Sequence, residues 1–166
     1  FVIKIVLIIT LIPSIQQEWF VPFIENWIEN PTTLPWSGYL LSGGDRLAFP
    51  YGSVMFIFLL PATAIGWIID NFFAVGYFTS FGFRISLFGV DILLLLLLLQ
   101  IFEHHWKKVL IYYWLSPLVL FITYWHGQTD LIAVALFIFS LAFLKRENYM
   151  AAGLILACSI AAKHSM

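Results

Sequence analysis

A chain of 166 residues that is 62% hydrophobic and only 10% charged, with a mean hydropathy of +0.96, carries more oil than a water-soluble domain of its size can bury. That excludes an ordinary soluble fold and predicts an all-α, polytopic transmembrane helical bundle, because hydrocarbon admits only helices or closed barrels. The net charge of −1 offers nothing to nucleic acid, so the placement of the charges matters more than their sum.

In chain order, the run "FVIKIVLIITLIPSI" predicts a first span over 1–14. No small-residue cleavage site follows it, so it reads as a span rather than a signal peptide, and the chain reads as a fragment of a longer protein. Region 15–80 is expected to form an external interfacial or re-entrant loop. Within it Phe20, Phe23, Ile24, Trp27 and Ile28 recur at helical spacing, with Glu25 and Glu29 on another face. That pattern predicts a short helix lying in the membrane interface. Pro31, Pro35, Gly43 and Gly44 mark turns beyond it. The apolar stretch 51–70, "YGSVMFIFLLPATAIGWIID", is interrupted by Pro61 and Gly66. Spans are predicted over 81–102, 109–125, 130–144 and 149–165. The last two are short against the ~20 residues a crossing helix wants, and the Ala- and Gly-rich fourth is expected to pack on other helices.

Sidedness follows from the basic residues. Lys107 and Lys108 (beside His104 and His105) and Lys145 with Arg146 flank loops separated by two spans, so they share a side, which the positive-inside rule makes cytoplasmic. Lys4 places the amino terminus on that side too. The loop "HGQTD" and the Lys163–His164 pair then face outward. Parity leaves 51–70 unable to cross, so it re-enters or lies along the outer face. A bacterial inner membrane or a plasma membrane suits this arrangement better than the endoplasmic reticulum.

The outer face thus collects Glu18, Glu25, Glu29, Asp45, His126, Gln128, Asp130, Lys163 and His164. Thr129 is expected to cap the helix that starts at Asp130. His126, Gln128 and Asp130 exceed what a cap requires, and a helix start pointing outward suits a phosphate. Lys163 either snorkels to the interface or holds that phosphate as a point charge. Asp91, in mid-span with Arg84 seven residues before it, reads as an interior hydrogen-bonding residue. The basic inner loop reads as solvated. Cys158 is the single cysteine, so no disulfide can form within the chain. No His/Cys/carboxylate spacing calls for a metal, and no cofactor is expected.

Taken together, a first span followed by an external acid and an amphipathic helix, then "AFPYGSVMFIFLLP", a span with an internal Asp, a basic inner loop, "LSPLVLFITYWHGQTD" and a closing "AAGLILACSIAAKHS" form a recognisable order. It resembles the amino-terminal module of the GT-C-fold glycosyltransferases, with Gly127 to Asp130 similar to a Gly-x-x-Asp loop and Ala152 to Lys163 similar to an "AGLLLGLAxxxK" helix. The resemblance implies transfer of a mannosyl- or glucosyl-like sugar from a polyprenyl-phosphate carrier to an acceptor hydroxyl on a glycan, lipid or protein, with inversion. The family's external acid is usually Asp; here the best-placed match is Glu18, with Asp45 and Glu25 as alternatives for the base. His126, Gln128, Asp130 and Lys163 would bind the donor, and Trp19, Trp36 and Trp125 are candidates for stacking on the sugar. A transporter or flippase of lipid-linked substrate is the rival reading, to which Pro61, Gly66 and Asp91 are equally suited. An inactive scaffold subunit is the third.

Overall fold

Long apolar runs separated by proline, glycine and polar clusters give a chain that is helical and has no strand among its described residues, 1–163 of a computed structural model. His164 lies outside them. Helix α1 (Val2–Thr10) leads through a π-helical turn (Gln16–Phe20) into α2 (Val21–Glu29) and α3 (Pro35–Leu41). Helices α4 (Ser53–Phe73) and α5 (Phe78–Ile101) form a long antiparallel pair. A bent segment follows, made of α6 (Trp106–Val109) with its π-helical continuation to Trp114, and α7 (Pro117–Val119) with its continuation to Trp125. Helices α8 (Asp130–Lys145) and α9 (Tyr149–Ala162) close as a hairpin. Among the described residues two helices, α4 and α5, are long and apolar enough to cross a membrane, and the bent segment makes a third if its two parts count as one span.

The expected span 109–125 is broken because Pro117 lacks an N–H and pushes Ser116 out of helical geometry (ψ 121°); the two parts meet at 41°. The stretch 51–70, in contrast, is not interrupted. Pro61 sits exposed inside a continuous 21-residue helix, and Gly66 is where the next helix comes closest. A Cβ on Gly66 would lie 2.0 Å from the Phe78 carbonyl oxygen, and one on Gly82 would lie 2.1 Å from that of Ala62. Two glycines therefore set the α4–α5 separation. Asp70, at the end of α4, caps the start of α5 by accepting from the Tyr77, Phe78 and Thr79 amides at 2.9, 2.9 and 2.7 Å, and from the Thr79 hydroxyl at 2.7 Å.

The bundle has two distinct polar regions. At the basic end, Arg146 donates to the Gln100 side-chain oxygen at 3.0 Å, which brings the Lys145–Arg146 loop beside the end of α5 and the Lys107–Lys108 loop that follows it. Away from that end, beside the middle of α5, the corner 126–130 meets residues 50–52 and the end of α9, where the Gly52 amide donates to the Ala162 carbonyl at 3.2 Å. Helix α4 starts at this corner. Because it pairs antiparallel with α5, it runs away from the basic end.

The main core is aromatic. Phe20, Phe23, Phe49, Tyr51, Phe56 and Phe83 pack with Ile24, Leu59 and Ile132. The expected amphipathic helix is present as α2, but its apolar face (Phe23 and Ile24, both buried) lies on this core instead of on lipid. Phe23 stacks on Phe49 with ring centroids 4.6 Å apart and meets Phe56 edge-on at 6.1 Å. Each such pair adds about 0.5–1.5 kcal/mol beyond area burial.

A second knot is ionic. Lys4 and Asp91 are fully buried, 2.5 Å apart. Asp91 also accepts from the Tyr113 hydroxyl at 2.5 Å and from the Tyr124 hydroxyl, so one carboxylate ties α1 to both halves of the bent segment. Lys4 further lies 3.8 Å from the Trp114 ring centre. Its charge is consumed internally, so it carries no information about sidedness. Arg84 does not reach Asp91. Its Nη1 donates to the Ile8 and Leu11 carbonyls, the latter at 2.5 Å, placing a cation at the carboxyl end of α1 where the helix dipole is negative.

Candidate functional site

Tyr124, Trp125 and His126 end the bent segment, and the chain then reverses into α8 through Gly127. Its φ of +84° is a left-handed conformation, and a Cβ there would lie 2.6 Å from the Pro13 side chain. Glycine is required twice over. The turn is held from outside: buried Gln16, on the π-helical turn after α1, donates its amide to the Gly127 carbonyl at 3.0 Å. Thr129 occupies the expected N-cap position but makes no side-chain cap bond. Its hydroxyl is buried against the Tyr51 phenol without hydrogen-bond geometry to any partner. The capping expectation therefore fails at this residue.

Around this turn the structure brings four sequence-predicted residues into one cleft of about 500 Å³: His126, Gln128, Asp130 and Lys163, with Tyr51 and Phe121. Lys163 Nζ donates to Asp130 Oδ2 at 2.8 Å, closing the end of α9 onto the start of α8. This pair is part-exposed, so it contributes at most about 1 kcal/mol to stability and is free to exchange partners. Asp130 Oδ1 is left without a donor. Tyr51 donates to Gln128 Oε1 at 3.0 Å, fixing which way that amide presents itself. Burial pushes the Tyr51 phenol up from its ordinary pKa, so it remains a neutral donor at physiological pH.

Tyr51 has a second neighbourhood. With Trp36, Gly52, Ser53, Ala157 and Ile160 it borders an adjoining groove of about 740 Å³ whose walls are largely apolar. A cleft that carries the Lys163–Asp130 pair and an apolar groove thus share one tyrosine wall. Nothing in the sequence marked Tyr51 or Gln16, since both act through contacts more than 70 residues away in the chain (77 and 111). Helical spacing gave no signal for the tyrosines on Asp91 either, since Tyr113 and Tyr124 lie on opposite sides of the break at Ser116–Pro117.

The three acids proposed as base do not line the cleft. Glu18 is exposed on the π-helical turn, between the buried Gln16 and Phe20. Asp45 is exposed in the loop after α3, where Oδ1 accepts from the Leu47 amide at 2.7 Å. Glu25 is half-buried on α2, and burial, with Glu29 and Asp70 nearby, pushes its carboxyl up from the ordinary range. Of the tryptophans, Trp36 packs on Phe23 and Phe49, Trp19 packs against the aromatic core, and Trp125 is exposed.

No family model, curated protein or solved structure matches this chain. Among the described residues no group of His, Cys, Asp and Glu could hold a metal ion. The features that suited a transport path have local roles: Asp91 is saturated by three donors, Gly66 permits helix contact, and Pro61 lies on an exposed face.

Proposed function

We propose that the chain is the amino-terminal part of an integral-membrane glycosyltransferase that moves a sugar from a polyprenyl-phosphate carrier to an acceptor hydroxyl. The observation that carries this reading is the junction at Tyr51. A cleft holding Lys163, His126, Gln128 and Asp130 adjoins an apolar groove, which suits an amphiphile with one anionic head and one long hydrocarbon tail. The separation of the basic loops from this corner supports a cytoplasmic basic end and an extracytoplasmic cleft.

In this reading the donor phosphate replaces Asp130 as the partner of Lys163. Asp130, freed, accepts hydrogen bonds from sugar hydroxyls, together with Gln128. The acceptor oxygen attacks the anomeric carbon as the bond from that carbon to the phosphate oxygen breaks, which inverts the configuration. The acceptor proton passes to a carboxylate, Glu18 first and Asp45 or Glu25 as alternatives; none of the three lines the cleft, so in this reading the acceptor approaches from the side of the π-helical turn that carries Glu18. The lipid phosphate leaves with the electron pair, and Lys163 and the start of α8 stabilise the charge that develops on it.

The test is transfer from a radiolabelled polyprenyl-phosphate sugar by the intact protein in membranes. Lys163→Met and Glu18→Gln are each expected to lower transfer by 10²-fold or more, on the order of what one charge-stabilising or general-base group supplies. Normal transfer by both variants would sink the site assignment. Absence of transfer by the wild type with every lipid-phosphate sugar tried would sink the function. Labelling of a cysteine at position 128 (in a Cys158→Ala background) only from the cytosol would sink the sidedness.

A further inference from the structure

The basic end carries a second groove, of about 340 Å³, between the last turn of α5 and residues 105–113. Its floor is Leu98, Phe102 and Val109. Its rim is His105, Lys108 and Tyr112, whose spacing of three and then four residues puts them on one helical face. All three are exposed. Of the nearby charges, His104 lies 3.3 Å from Glu103, and Arg146 reaches Gln100. Among the described residues Lys108 forms no ion pair. Trp106 is exposed beside it, with the Lys107 ammonium 5.5 Å from its ring centre, an amphipathic pairing typical of a lipid–water boundary.

We propose that this groove binds one anionic phospholipid. The phosphate sits on Lys108 Nζ, with the His105 ring and the Tyr112 hydroxyl as further donors, and one acyl chain lies on Leu98, Phe102 and Val109. An apolar floor gives a free phosphate ion nothing to displace water for, so the occupant is an amphiphile. Lys107, Lys145 and Arg146 at the same end repel the cationic head of a zwitterionic lipid and favour a head with net negative charge. The proposal uses the membrane-spanning reading of α5 but not the chemistry proposed for the corner, so either can fail alone.

Native mass spectrometry of the intact protein exchanged into equimolar phosphatidylglycerol and phosphatidylcholine reads the effect directly. The wild type is expected to retain phosphatidylglycerol about fivefold over phosphatidylcholine, the factor that one surface cation supplies. Lys108→Gln with His105→Gln brings the ratio to near parity, and Lys108→Gln alone reads the same effect if the double variant does not accumulate. Lys145→Gln with Arg146→Gln, at the same end but outside the groove, is expected to lower the preference by less than the groove variants do. Equal retention of the two lipids by the wild type overturns the proposal. So does a groove variant that keeps the preference, or a loss as large in the Lys145/Arg146 variant, which would mean diffuse charge rather than this groove.

Discussion

Replacing Asp91 by leucine tests the ionic knot. Asp91 holds the Lys4 ammonium at 2.5 Å with both side chains at 0% exposure, and it is also the acceptor for the Tyr113 and Tyr124 hydroxyls. Stranding a buried ammonium costs about 3–5 kcal/mol, and each orphaned phenol adds on the order of 1 kcal/mol. The sum is roughly 5–7 kcal/mol, which for a chain of this length lowers the melting temperature by about 10–28 °C. The double variant Lys4→Met with Asp91→Leu removes both charges and leaves only the phenols unpaired. It is expected to lose roughly 2 kcal/mol, or about 4–8 °C. Removing the lysine from the Asp91→Leu background thus recovers about 3–5 kcal/mol, the cost of the stranded ammonium. The assay is a thermal ramp in detergent with a thiol-reactive fluorogenic dye, read on Cys158, the chain's one cysteine, which is half-buried on α9. A double variant that melts no higher than Asp91→Leu refutes the reasoning, because the two charges would then not be each other's partners.

Three further outcomes use the same assay. Gly66→Ala is expected to cost about 1–3 kcal/mol by forcing α4 from α5, whereas Gly153→Ala, with no atom within 4 Å of the added carbon, gains up to about 1 kcal/mol from helix propensity; equal melting of the two variants refutes the close approach. Thr129→Val is expected to be neutral or stabilising, since the hydroxyl is buried without a partner; a loss of about 1 kcal/mol, the worth of a cap, would restore the capping role. Glu25→Gln bears on pH. The Glu25 carboxyl is raised in the fold by burial and by Glu29 and Asp70, so the native state holds its proton more tightly than the unfolded chain does. Its contribution is favourable below the ordinary Glu range and is lost as pH rises through the folded pKa. Glu25→Gln should therefore melt higher than wild type at pH 7, by the ~0.3–0.5 kcal/mol that relief of an i, i+4 like-charge pair gives. The difference should vanish near pH 4, and a constant difference across that range would be the contrary result.

Much of the helical layout is legible in the sequence because hydrocarbon periodicity and proline are local signals. The amphipathic pattern over Phe20–Ile28 marks α2, and the "HGQTD" run marks the corner. What covers α2 is not legible: its partners Phe49, Phe56 and Phe83 are distant aromatics, and an apolar face reads the same whether lipid or protein lies against it. The continuity of α4 through Pro61 escaped a proline rule that holds for isolated helices and fails where α5 braces the helix alongside. At the candidate site, His126, Gln128, Asp130 and Lys163 were readable as polar residues displaced into oil. Tyr51 and Gln16 were not, since a phenol and an amide near apolar runs are unremarkable until the chain folds back on them.

The Lys4–Asp91 bond spans 87 positions of sequence, and that separation has a consequence for biogenesis. At about 5–20 residues per second, roughly 4–17 s pass between synthesis of the lysine and arrival of its carboxylate. During that interval the first helix presents an ammonium to the insertion machinery, with a penalty of about 2.5–3.5 kcal/mol at a membrane centre. The buried Lys4–Asp91 pair can therefore close only after α5 has emerged.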